Sequence, residues 1–139
     1  MSVDLSPLQN AVLRLEEALA QWSADTSNEL IRDGLIQRFE FTYDLAAKML
    51  RRVLAFRSDT PSDVDRMSFP TLMRTAFEQG VVDETWPVWL DYREKRNIAS
   101  RTCDEEKAKE VAAMIPAFLD EVRDLAVRLA RALDSTDST

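Results

Sequence analysis

Hydrophobic positions recur along this chain at three- and four-residue spacing, the period of helices with one buried face. Leu8, Val12, Leu15, Leu19 and Trp22 set that rhythm first. It predicts a helix to about Ala24, with Ser6 as its N-cap and Pro7 in the first helical position. Asp25-Thr26-Ser27-Asn28 interrupts the rhythm and offers several capping side chains for a much longer segment running to about Phe56. That second helix is roughly 45 Å long at 1.5 Å per residue. Its apolar arc sweeps over half the wheel, from Ile31, Leu35, Phe39 and Phe41 to Tyr43, Leu45, Leu50 and Leu54. One neighbour cannot cover so broad an arc, so the helix is expected both at the centre of the fold and at a contact with a second subunit. Arg38 projects into the arc and needs a carboxylate or an interface. The narrow polar arc carries Glu40, Asp44, Lys48 and Arg51, and Asp44–Lys48 reads as a surface pair one turn apart.

Ser58 to Ser68 is loop by composition and the best candidate for a mobile segment. A third helix opens at Phe69-Pro70, buries Leu72, Met73, Ala76 and Phe77, and stops before Gly80. A fourth starts near Pro87. Trp86, Leu90, Arg93 and Asn97 share one of its faces, with Trp89 and Arg96 on the shoulder, so an aromatic anchor leads into a polar tip. It is expected to stop near Ile98, because Thr102-Cys103-Asp104-Glu105 reads as a capping box for the next helix. That fifth helix runs from Asp104 towards Leu133 and is expected to kink at Pro116, whose ring displaces a backbone hydrogen bond. Residues 134–139 read as a disordered polar tail behind a single domain of residues 1–133.

Two glycines among 139 residues oppose a sheet rich in tight turns, which makes the chain all-α. A lone cysteine, no secretory leader and no apolar run near bilayer length point to the cytoplasm and away from membranes. The net charge of −7 opposes binding to duplex nucleic acid. Only residues 48–101 are locally basic, and they hold Arg93, Arg96 and Arg101. Without histidine or paired cysteines no zinc signature can be written, and two glycines cannot build a phosphate-cradling loop. No metal, cofactor or catalytic residue is therefore assigned.

The stretch Arg96-Asn97-x-x-x-Arg101-x-Cys103 resembles the Arg-Asn-x-x-x-His-x-Tyr motif of the HEPN superfamily. Trp89-Leu90-Asp91, Asp104-Glu105-Glu106 and the block from Asp33 to Lys48 are similar to its nucleotidyltransferase substrate-binding branch. The resemblance covers most of the chain and implies an up-and-down bundle of four or five helices. It further implies a homodimer whose groove serves a separately encoded minimal nucleotidyltransferase, in a module of toxin–antitoxin type. HEPN ribonucleases use the motif arginine and histidine across a dimer cleft, and here the histidine position holds Arg101. A guanidinium stays protonated and cannot act as general base, but it can bind phosphate with two prongs. Three readings follow: a noncatalytic substrate-binding subunit, a ribonuclease toxin with an altered motif, and a plain helical adaptor. For the first, a nucleotide or other anionic ligand is expected at Arg93, Arg96, Asn97 and Arg101, with Glu40, Asp44 and Lys48 facing them. Cys103 stands where some family toxins carry a tyrosine that the partner adenylylates, and it reads as a small junction residue.

Overall fold

The computed structural model describes residues 3–101 and 104–137. Among them the chain forms six helices and no strand: α1 (Ser6–Ala24), α2 (Glu29–Phe56), α3 (Pro61–Asp65), α4 (Phe69–Glu78), α5 (Val88–Arg101) and α6 (Glu105–Asp137). Local chemistry fixes most boundaries. Asn28 accepts from the amides of Leu30 and Ile31 at 3.0 and 3.1 Å, satisfying two of the free N–H groups that open α2. Ser68 caps α4 by accepting from the amide of Thr71, and Gly80 follows α4 with φ +74°, the left-handed geometry glycine adopts without strain. The start of α1 differs from expectation. Ser6 lies inside the helix, Leu5 is the cap residue, and the Asp4 carboxylate accepts from the Ser6 amide at 3.0 Å.

Helix α2 lies centrally, in contact with every other helix but with α1 and α6 foremost. Its buried side runs from Leu35 through Phe39, Tyr43, Ala46 and Leu50 to Leu54. The core centres on Phe118 of α6, which meets Phe39, Trp89 and Tyr92 edge-on with ring centroids 4.8, 5.7 and 5.1 Å apart. Such T-shaped pairs add stabilisation beyond the area they bury. Tyr43 continues the cluster, stacking on Trp89 at 6.2 Å and tilting against Phe69 of α4 at 5.9 Å. Through these rings α5 is clamped against the middle of α2.

Several expectations give way. The stretch from Ser58 to Ser68 is not a free loop: it contains the single turn α3, and Arg51 donates to the carbonyls of Val64 and Met67 at 2.9 and 2.8 Å. Arg51 was placed on a solvated arc, but these carbonyls belong to the turn that leads into α4, and a guanidinium satisfies them at once. Helix α5 continues to Arg101 instead of stopping near Ile98. Its inward face is also turned by one position: Trp89 and Tyr92 are buried, while Trp86 and Leu90 are half-buried and Arg93 is exposed. Phe77 is 41 % exposed, because α4 is short and buries Leu72, Met73 and Ala76 on its other side. Helix α6 holds Pro116 within it and reaches Asp137, so residues 134–137, expected in a polar tail, are helical. Pro116 sits on an exposed position, where the ring points away from the core. The capping box involves Thr102, which lies outside the described residues, as does Cys103. Among the described residues Asp104 accepts from the Glu106 amide at 2.9 Å and so serves the start of α6.

Candidate functional site

Position 96 falls on the last turns of α5, beside the middle of α2, because Tyr92 one turn earlier and Trp89 two turns earlier are locked into the aromatic core. The Arg96 guanidinium therefore meets the outer edge of α2. Its Nε and Nη2 donate to the two carboxylate oxygens of Asp44 at 2.9 Å each, a two-pronged pair of the kind only arginine makes. Nη1 stands 3.5 Å from Glu40, one turn up the same helix. Arg96 and Glu40 are each 25 % exposed. Burial raises the Glu40 carboxyl above its usual pKa; Arg96 opposes the shift and Asp44 adds to it. The Arg96 guanidinium is held even more firmly protonated than usual, chiefly by its hydrogen bonds to Asp44. Below this cluster burial pushes the Tyr43 hydroxyl well above its ordinary range.

Glu40 is shared with a cleft of about 690 Å³ formed by the start of α2, the end of α5 and the start of α6. Glu29, Arg32, Asp33, Asp104 and Glu105 line it, with Ile36 and Val111 giving it an apolar floor. Arg32 bridges Asp33 and Glu105, each at 3.5 Å, and its Nε–H is buried without a hydrogen-bond partner among the described residues. Glu105 is held below the usual carboxylate range, first by its hydrogen bond with Glu29, then by Lys109, with Arg32 contributing less. Carboxylates outnumber cations in this cleft. That excess of negative charge opposes an anion inside the cleft.

Of the expected site residues, Glu40, Asp44 and Arg96 come together. Asn97 follows Arg96 on the same half-buried stretch of α5. Arg101 ends α5, and its expected phosphate-binding side chain lies outside the described residues. Arg93 points elsewhere, its guanidinium carbon 5.6 Å from the centre of the Phe69 ring, which makes it a cation–π clamp on α4. The Asp44–Lys48 pair is not formed among the described residues: Asp44 turns to Arg96, whose fork gives two short hydrogen bonds where an ammonium gives one. Sequence reasoning missed Arg32, Glu29 and Gln37. Only the carboxylates of α6 that attract Arg32 would have pointed to it, and they lie over seventy residues away. No group of three or more carboxylate, thiol or imidazole side chains among the described residues is arranged to hold a metal ion. No helix among them is long and apolar enough to cross a membrane.

The chain matches the family model described as nucleotidyltransferase substrate binding protein like, over residues 3–131. The chain belongs to the nucleotidyltransferase substrate-binding family. A relative from Haemophilus influenzae named "Probable ribonuclease HepT" is 35% identical over 127 residues, which cover 86% of each chain. HI0074 from the same organism, whose structure is described as revealing the fold of a substrate binding domain of a nucleotidyltransferase, is 33% identical. It superposes with a TM-score of 0.82, covering 91% of this chain and 99% of its own. Membership accounts for the all-α bundle and for its long second helix.

Proposed function

We propose that this chain is a noncatalytic substrate-binding subunit that pairs with a separately encoded minimal nucleotidyltransferase. It acts in the cytoplasm as a homodimer, in a module of toxin–antitoxin type, and presents the Arg96 edge to the phosphate of a nucleotide or similar anion. The observation that carries this reading is the Glu40–Asp44–Arg96 cluster at the rim of the cleft. Two carboxylates from one helix hold a guanidinium from another with its fork already oriented, so a ligand phosphate exchanges with a carboxylate and does not have to order a free side chain.

The name of the HepT relative supports a second reading, a ribonuclease. Its chemistry requires a base near neutrality. The chain of 139 residues contains no histidine, and the motif position holds Arg101, which keeps its proton. Purified protein incubated with end-labelled single-stranded RNA decides between the two. Intact RNA, together with saturable ATP binding that Arg96→Ala weakens at least about tenfold, or about 1.4 kcal/mol, supports the binding subunit. Cleavage that Arg101→Ala abolishes supports the ribonuclease.

A further inference from the structure

A second hollow, of about 270 Å³, lies at the other end of α2 from the cleft, where α2 and α4 finish beside the last turns of α6. Arg57, Arg128 and Arg131 line it, together with Gln79, Gly80 and Ser135. Among the described residues no carboxylate does: Glu78 and Asp134 each stand one residue from a lining position, and neither forms part of the wall. The chain carries 25 acidic against 18 basic side chains, so a wall with three arginines and no acid runs against its composition. Arginines near helix C-termini ordinarily cap carbonyls or pair with carboxylates. Arg51 takes the first course, donating to Val64 and Met67. Arg128 takes the second: Nε donates to Asp124 at 2.7 Å and Nη2 to Asp83 at 3.1 Å, which pins the group at the wall and leaves Nη1 without a hydrogen bond among the described residues. Arg57 and Arg131 take neither course. Their guanidinium groups make no hydrogen bond and no ion pair among the described residues.

We propose that this hollow binds a compact phosphate, either free or carried on a small molecule. The charge of Arg128 is met by its two carboxylates, so the surplus here is the two charges of Arg57 and Arg131. A phosphate group brings about −1.5 to −2 charge and three acceptor oxygens, which suits that surplus. Guanidinium forks take such oxygens two at a time, and Arg128 needs no ordering because Asp83 and Asp124 already hold it. Size sets a limit on the ligand. Pockets that enclose drug-sized molecules span about 300–1,000 Å³, so the base and ribose of a nucleotide stay outside this one. Arg57 follows Asp44 by 13 residues, or about 20 Å along α2 at 1.5 Å per residue. The site is therefore separate from the Arg96 edge and does not depend on the nucleotidyltransferase reading.

Titration of the native chain with inorganic phosphate and, separately, with glycerol 3-phosphate tests this, followed by NMR of the arginine Nε–H groups against sodium chloride of matched ionic strength. Saturable shifts at Arg57, Arg128 and Arg131 are expected with phosphate and not with chloride, and the tighter of the two ligands shows whether the phosphate is free or esterified. Arg57→Gln and Arg131→Gln should each weaken binding at least about tenfold. Neither substitution should move the melting temperature, because neither side chain holds another residue. Absence of saturation at millimolar phosphate, an equal response to chloride, or binding that survives in the double variant overturns the site. ATP that moves these three signals as far as phosphate does overturns the restriction to a compact ligand.

Discussion

Replacing Arg96 with alanine removes the cation that stands between Glu40 and Asp44. Two hydrogen bonds of 2.9 Å to Asp44 and a 3.5 Å approach to Glu40 are lost together. An exposed ion pair contributes about 0–1 kcal/mol. Here the fork is two-pronged and Arg96 is 25% exposed, so the pair lies at the top of that range, and a half-buried Glu40 left facing Asp44 adds to the loss. The sum is about 1–2 kcal/mol near neutral pH, which lowers the melting temperature of a domain this size by about 3–6 °C. The loss carries a pH signature. Glu40 is already raised by burial against the pull of Arg96, and removing Arg96 raises it further. A carboxyl whose folded pKa exceeds its unfolded one destabilises the fold while ionised, and that penalty shrinks as pH falls through the folded value and is gone below the unfolded one. Thermal unfolding followed by circular dichroism should therefore show the largest deficit at about pH 7 and a smaller one at about pH 5. A deficit that grows on acidification, or none at either pH, refutes the reasoning.

Arg51→Met keeps the aliphatic stem but removes the donor shared by the carbonyls of Val64 and Met67, for a loss of about 1–3 kcal/mol. Amide hydrogen exchange should quicken in residues 58–68 well before the rest of the chain. Gly80→Ala meets no steric neighbour, so its cost is the left-handed backbone alone, about 1 kcal/mol in chemical denaturation. Phe118→Ala removes the ring against which Phe39, Trp89 and Tyr92 pack, and should cost about 3–5 kcal/mol by the same measurement.

Helix boundaries governed by neighbouring residues were legible in the sequence. Asn28 opens α2 and Gly80 follows α4 for reasons contained within a turn of chain. The rotation of α5 was not legible, because counting apolar residues favours Trp86 and Leu90, whereas Phe118 on α6 selects Trp89 and Tyr92. Asp44 teaches the same lesson at the site. The local rule pairs it with Lys48, yet tertiary packing offers it the fork of Arg96, 52 residues further on. Arg51 looked like one more solvated cation until α3 folded back onto it. What distant elements decide is invisible to spacing, and both the cluster and the cleft belong to that class.

The most direct test of the account is an amide-resolved NMR titration of the native protein with ATP. It predicts saturable shifts confined to residues 37–44 of α2 and 93–101 of α5, absent from Arg96→Ala. No shift at millimolar nucleotide, or shifts confined to other parts of the bundle, would contradict it.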